Sequence, residues 1–228
     1  MSTPAFSIIC PDYHGVVSHS RRHAAIGSVL RQSFPDWELV VIHDGPRKEP
    51  LRDAFEDGRI RWVETDVRHN DWGHSLRHAG ITIARGDYIV HLNADNVLYE
   101  HCLAILHAYS RRRERRVEVS TPTGEVAISR VNPQVLVFAA RMMGCLNALQ
   151  MPAFVRKPGN EWLDQLLLPG WPPQGGRIDC MQLVARRSIW QEIGGWYDRT
   201  ERSDGVIFAE ICRRYGYLMV PDVLGEHW

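Results

Sequence analysis

Several things are scarce in this sequence, and each scarcity narrows the reading. Its 228 residues include only five cysteines (Cys10, Cys102, Cys145, Cys180 and Cys212), odd in number, far apart and without a Cys-x-x-Cys pair. That argues against a disulfide framework or a thiolate zinc site, and fits a reducing cytoplasm. No apolar stretch approaches the ~20 residues that a bilayer-spanning helix needs. The first five residues lack the basic and apolar regions of a signal peptide. Neither sign of charge is in excess: 27 Lys and Arg stand against 27 Asp and Glu, so no global field favours nucleic acid or membrane. The first strand is not followed by Gly-x-Gly-x-x-Gly, and no Gly-x-x-x-x-Gly-Lys-Ser/Thr occurs, which disfavours a dinucleotide fold and a P-loop. Internal repeats and low-complexity segments are missing too. With 44% hydrophobic and 24% charged residues, the expectation is an intracellular globular chain of one large α/β domain or two small ones.

Apolar periodicity organises the first half. Tyr88, Ile89, Val90 and Leu92 form a β-prone run that stops at the turn cluster Asn93-Ala94-Asp95-Asn96. Asp95 is therefore expected at the carboxyl end of a buried strand, where open α/β sheets bind ligands. Similar strands are expected at 6–10 and 37–42, ending in the polar turns Pro11-Asp12 and His43-Asp44-Gly45-Pro46, with a weaker one at 59–64. Between them, Ala25, Ile26, Val29 and Leu30 recur at helical spacing. Gly73 opens a second helix, with Leu76, Ala79 and Ile83 on one face and Arg77 pointing elsewhere. Cys102, Ile105, Leu106 and Tyr109 stripe a third. Such alternation predicts a parallel, Rossmann-like sheet.

Past residue 110 the alternation fails. The basic run 111–116 (Arg111, Arg112, Arg113, Arg115 and Arg116 around Glu114) reads as a helix end. Residues 152–176, rich in Pro, Gly and Trp, read as one long loop over a face. Strands are expected at 135–140 and 178–184, a short helix at 187–193, and a longer one at 203–215 with Gly216 just past its end. Two β segments, 217–220 and 223–228, close the chain.

Five segments, in order and with fitting gaps, carry a family resemblance. They are residues 6–14, an opening strand and turn; Gln32-Ser33-Phe34-Pro35-Asp36-Trp37-Glu38 through His43-Asp44-Gly45; the Gly-bounded helix 73–86; Leu92-Asn93-Ala94-Asp95-Asn96; and Gly194-Gly195-Trp196 followed by Ser203-Asp204. Together they resemble the nucleotide-sugar glycosyltransferases of family 2. The resemblance runs from residue 6 to about 228 and is weakest over 111–176.

It implies the GT-A fold, an α/β architecture with a Rossmann-like, mostly parallel central sheet flanked by helices and a C-terminal acceptor-side portion. Residues 1–110 would form the nucleotide-sugar-binding half, and 111–228 the acceptor-binding half, of one domain. The implied reaction moves a sugar from a nucleoside diphosphate donor, expected to be UDP-linked, to an acceptor hydroxyl with inversion, using Mn²⁺ or Mg²⁺. Asp95 matches the metal-binding carboxylate of the family's Leu-Asp-Ala-Asp-Asp, with Asn93 beside a ribose hydroxyl and Asn96 where an acid is common. His227 stands where some members complete the metal shell. Asp204 matches the general base of a Glu-Asp pair, with Ser203 replacing the Glu. Tyr13 and Asp44 match the base-binding pair, Asp12 is an adjacent alternative, and His43 replaces a first acid. Arg77 matches the arginine near the diphosphate. Trp72, Trp162, Trp171 and Trp196 could each stack on a sugar face; Trp196 matches an acceptor-side aromatic, Trp171 is a second candidate, and packing or loop anchoring is the plainer role of the others.

Plainer roles stand beside these. Asp95 could cap a helix starting near Val97, Ser203-Asp204 could be an ordinary helix N-cap, Arg77 a surface ion pair and His227 a surface histidine. His19/His23 and His74/His78 have the i, i+4 spacing of helical zinc sites, but without the Glu of His-Glu-x-x-His they read as solvated. The acceptor is a glycan, a lipid-linked group or another hydroxyl. The run 111–116 could meet an anionic acceptor or a membrane surface peripherally; nucleic acid is disfavoured. Two rival functions remain: a sugar-1-phosphate nucleotidyltransferase, and a catalytically degenerate nucleotide-sugar-binding domain suggested by His43, Asn93, Asn96 and Ser203.

Overall fold

A computed structural model describes residues 3–13, 17–46, 54–120, 126–143, 154–156, 165–167 and 178–228. The first half follows the expected order: β1 (Phe6–Asp12), α1 (His19–Leu30), β2 (Trp37–His43), β3 (Ile60–Glu64), α2 (His74–Ile83) and β4 (Tyr88–His91). β1 pairs in parallel with β2 and β4, and β2 with β3. Successive strand residues face opposite sides, and both sides are covered. Ile8, Cys10, Leu39, Val41 and Val90 pack with Ala25, Ile26 and Val29 of α1. On the other side, Ile9, Val40, Ile42 and Ile89 pack with Leu76 and Ile81 of α2. Double cover is why these runs are apolar almost throughout. α2 presses closest at Gly80, where a Cβ would lie 2.4 Å from Ile9 Cγ2.

The second half adds β5 (Val97–Leu98), α3 (Cys102–Ser110), β6 (Arg115–Ser120), β7 (Val126–Val131), β8 (Val135–Met142), β9 (Phe154–Arg156), β10 (Gln165–Leu167), β11 (Leu183–Arg186), α4 (Arg187–Glu192), α5 (Ser203–Tyr215) and β12 (Leu218–His227). Both halves share a ten-stranded sheet of order β3-β2-β1-β4-β11-β8-β10-β9, with β12 pairing β8 and β5. The four strands β3-β2-β1-β4 are its parallel core; β11 is antiparallel to both β4 and β8, and β12 is parallel to β8. α3 packs on the α1 side, and α4 and α5 on the α2 side. Among the described residues no helix is long and apolar enough to cross a membrane.

Several expectations are corrected. Residues 178–184 are not one strand: a single 3-10 turn, Cys180–Gln182, precedes β11. Asp179 accepts from Met181 N (3.0 Å), and Gln182 Oε1 accepts from Asp179 N (2.8 Å), a reciprocal capping box that outweighs the apolar run. Val97 starts a strand, so Asp95 caps no helix. The stretch 152–176 includes β9 and β10; the rest of it, with Trp162 and Trp171, lies outside the described residues. The basic run is also more than a helix end. α3 stops at Ser110, and Arg115 starts the antiparallel β6–β7 pair. The base of that pair adjoins the first residues of β8 and β12, since Tyr217 N donates to Arg130 O (3.2 Å). It therefore sits at the opposite end of the sheet from His227, which pairs with Met142 at the far end of β8.

That opposite end is tied together by Glu38, 2% exposed. Its carboxylate accepts from Ser7 Oγ (2.6 Å), Arg85 N (2.6 Å), Arg85 Nε (2.8 Å) and Arg61 Nη1 (3.3 Å). Burial alone would push its pKa up, but the bonds from Ser7 and Arg85 hold it below the ordinary glutamate value.

Candidate active site

The carboxyl ends of β1 and β4 open onto a cavity of about 540 Å³. Its wall brings together Tyr13, Arg77, Asn93, Asp95, Trp196 and Asp204, residues from four of the five segments that carry the resemblance. Arg77 does not point away from the core as expected: it is 4% exposed. Nη1 donates to Trp72 O (2.8 Å), and Nη2 donates to Asn93 Oδ1 and to Cys180 Sγ (3.4 Å). All these partners are neutral, and Nε has none. The Tyr13 hydroxyl is likewise buried without a partner, and burial pushes its pKa up. It packs over Gly73, where φ is +81° and a Cβ would come 2.0 Å from the hydroxyl oxygen. Only glycine fits that turn into α2.

Facing Arg77 are carboxylates. Asp204, in the first turn of α5, has its pKa raised to about 6, first by burial and then by Asp179. The α5 N-cap is Arg202, so Ser203-Asp204 does not cap the helix through a side chain. Burial also raises the pKa of Asp95, opposed chiefly by His227. Asp179 Oδ2 lies 3.5 Å from His227 Nδ1. Asn96, wholly buried, donates to Asp179 Oδ1 (3.4 Å) and accepts from Trp228 N (3.3 Å), tying the end of β12 to the site. Asp95, Asp179 and His227 are therefore neighbours, but no three His, Cys, Asp or Glu side chains among the described residues are grouped closely enough to hold a metal ion unaided.

Other expected residues sit elsewhere. Asp12 and Asp44 are 1% and 5% exposed and stand behind the cavity wall. Asp12 bonds His43 Nδ1 (2.9 Å) with Arg22 Nη1 at 3.6 Å, which uses it in the core. Asp44 accepts from His69 N (2.8 Å) and Asn70 N (2.9 Å) and so fixes the loop before α2. Trp196 borders the cavity but is fully buried between His74 and Trp190, with ring centroids at 5.9 and 5.8 Å, which leaves no free face for a sugar. His74 is no solvated histidine: it is 5% exposed, and burial then Arg77 lower its pKa to about 4. Its ring lies 3.1 Å from Ser203 Oγ, which also accepts from Trp196 Nε1 (3.0 Å).

Sequence reasoning missed Asp179, Asn70 and Glu201 on the wall, and ranked Trp72 behind Trp196 as a sugar-stacking aromatic. For Asp179 a signal existed: the Asp-x-x-Gln spacing to Gln182 announces a capped turn, hence a fixed carboxylate. Glu201 and Asn70 carry no local signal.

A family model described as Glycosyl transferase family 2 matches residues 23–136, half of the chain. The putative colanic acid biosynthesis glycosyl transferase WcaA of Escherichia coli K12 is 28% identical over 115 residues, 49% of this chain and 39% of that protein. The E. coli UDP-Glc:alpha-D-GlcNAc-diphosphoundecaprenol beta-1,3-glucosyltransferase WfgD is 32% identical over 95 residues, 40% of this chain and 35% of that one. The chain thus spans well under half the length of these relatives. The solved structure of S. aureus TarS in complex with UDP superposes with a TM-score of 0.65 at 12% identity, covering 97% of this chain and 60% of that one. That likeness shows the GT-A fold. The chain belongs to glycosyl transferase family 2.

Proposed function

We propose that the chain carries a metal-dependent, inverting transfer of a sugar from a nucleoside diphosphate donor, UDP-linked, to an acceptor hydroxyl. One observation carries the reading: Arg77 is a buried cation with only neutral partners and an open Nε, set in a cavity with carboxylates. Asp179 and Asp204 act on it only at a distance, with no direct carboxylate contact; a buried charge so incompletely paired is costly, and a diphosphate would supply direct contact with matching oxygens. The same cavity, however, carries Asp95, Asp179, Glu201 and Asp204, which repel an anion entering alone. Asp95, Asp179 and His227 fit a divalent cation shared with donor phosphates, the way Mg²⁺-type ions are commonly held. When bound, Mn²⁺ or Mg²⁺ would offset charge developing on the leaving diphosphate.

The protein's own groups do the rest. Tyr13 takes the nucleobase, Asp44 acts through the His69 and Asn70 amides it fixes, and Asn93 stands beside the ribose and holds the Arg77 guanidinium for the diphosphate. Asp204 accepts the acceptor's proton as the acceptor oxygen bonds the anomeric carbon; the bond from that carbon to the diphosphate oxygen breaks, and its electron pair leaves with the phosphate. Entry opposite the leaving group inverts the centre. A carboxylate whose pKa is raised to about 6 suits this task at neutral pH. The names of WfgD and of the TarS complex with UDP-GlcNAc support UDP as carrier.

The test is hydrolysis of UDP-glucose and UDP-N-acetylglucosamine with Mn²⁺. Turnover should fall by roughly 10²- to 10⁴-fold in Asp204→Ala, and drop in Asp95→Ala in a way that extra Mn²⁺ partly restores. Activity surviving both substitutions sinks the mechanism. UDP binding without turnover in the wild type would leave a nucleotide-binding domain.

A further inference from the structure

Trp72 is the one large exposed apolar side chain on the cavity wall among the described residues, 65% accessible. Its φ is +54°, in the left-handed region that bulky residues avoid. Buried polar groups hold it there. Its carbonyl accepts from Arg77 Nη1 (2.8 Å), Asp44 fixes the amides of His69 and Asn70, and Asp71 Oδ2 accepts from Ser75 N (3.0 Å). A strained residue held this firmly, with an indole that packs on little, points to a ligand rather than to folding.

The surroundings say which ligand. The indole lies 6.1 Å from the His74 ring, and His74 bonds Ser203, the neighbour of Asp204. Trp72 therefore borders the Asp204 side of the cavity, where Glu201 also stands. An aromatic face suits the C–H side of a pyranose. Two carboxylates alongside accept sugar hydroxyls and repel phosphate or carboxylate groups. We propose that Trp72 is the stacking platform for a neutral pyranoside acceptor, whose hydroxyl is thereby presented to Asp204. The assignment of this side to the acceptor rests on the proposed role of Asp204.

The experiment is saturation-transfer NMR on the full chain with UDP and Mn²⁺ present. The probes are methyl glucoside, methyl galactoside and methyl N-acetylglucosaminide, with glucose 6-phosphate as the anionic comparison. At least one methyl glycoside should receive saturation at its ring C–H protons, and glucose 6-phosphate none. Trp72→Ala should weaken glycoside binding about three- to tenfold, while Trp72→Phe stays near the wild type. UDP affinity, measured by calorimetry, should hold within about twofold in both variants, because the substituted side chain is exposed and the core is untouched. Equal glycoside binding in Trp72→Ala, no glycoside binding at all, or a loss of UDP affinity instead would each overturn the proposal. A wild type that binds glycosides through Trp72 but not UDP supports the platform and overturns the donor reading, so the two failures are distinguishable.

Discussion

At the scale of single residues the site is defined by groups whose burial and charge do not match. Asp204 is the clearest case. Its pKa is raised to about 6 by burial and by Asp179, so in the free protein the acid limb of kcat/KM should lie near pH 6 instead of near 4, activity rising as the carboxyl loses its proton. Asp179→Asn removes the second cause and should move the limb to lower pH. Carbon-13 NMR of the Asp204 carboxyl reads the same shift without turnover, and a titration centred near 4 in the wild type would contradict it. His91 is the opposite case: wholly buried, edge-on to Trp190 and Trp196, with both ring nitrogens unpartnered. Burial and then Arg77 hold its pKa well below 6.5, and that of His74 at about 4. The unfolded chain therefore binds more protons than the folded one below pH 6.5. Stability should be fully present above pH 6.5 and fall as the pH drops towards 4. The loss of Tm between pH 7 and pH 5 should be smaller in His91→Phe; an unchanged loss would remove His91 from the account.

Among elements, α2 is the one the site depends on most. It carries His74 and Arg77, and it can lie this close to β1 only because residue 80 is glycine. Gly80→Ala improves helix propensity by about 1 kcal/mol, yet the added methyl meets Ile9 at 2.4 Å and Ile42 at 3.0 Å, inside a packed interface. Overpacking of this kind costs about 1–3 kcal/mol. The variant should therefore be destabilised on balance in urea unfolding, and a gain in stability would refute the tight contact. α2 also marks where local reading stops. The Leu76, Ala79 and Ile83 stripe locates the helix and leaves Arg77 off its apolar face; it gives no sign that Arg77 is buried. Its burial depends on Asn93 and Cys180, which lie 16 and 103 residues away along the chain. The turn at 180–182 is hidden for the opposite reason: its capping signal is local, but it lies within an apolar run that reads as a strand.

For the molecule as a whole, legibility follows sequence separation. β1, β2 and β4 are covered on both faces by helices near in the chain, so apolar runs alone reveal them, and the edge strand β3 is fainter. β8, β11 and β12 join the sheet through partners dozens of residues away, and the order in which they do so has no local signature. Asp179 and His227 reach the site only through that pairing. Asp95 was readable because it ends a core strand, and Asp204 because it opens a helix; Trp72 and Glu201 acquire a role only from the cavity they border. The same topology separates the arginines of 111–116 from the cavity, since the β6–β7 base stands at the far end of the sheet.

The Glu38 cluster at that far end has a mechanical meaning. There one carboxylate gathers Ser7, Arg61 and Arg85, and so fastens β1, β2, β3 and the turn after α2 at a single point. At the catalytic end the charges are left mutually opposed, and the backbone at Asn70 and Trp72 is held off its preferred conformations. The molecule thus has a rigid footing and a frustrated rim. Any shift on ligand binding is therefore expected in the loops that line the cavity, with the Glu38 footing unchanged.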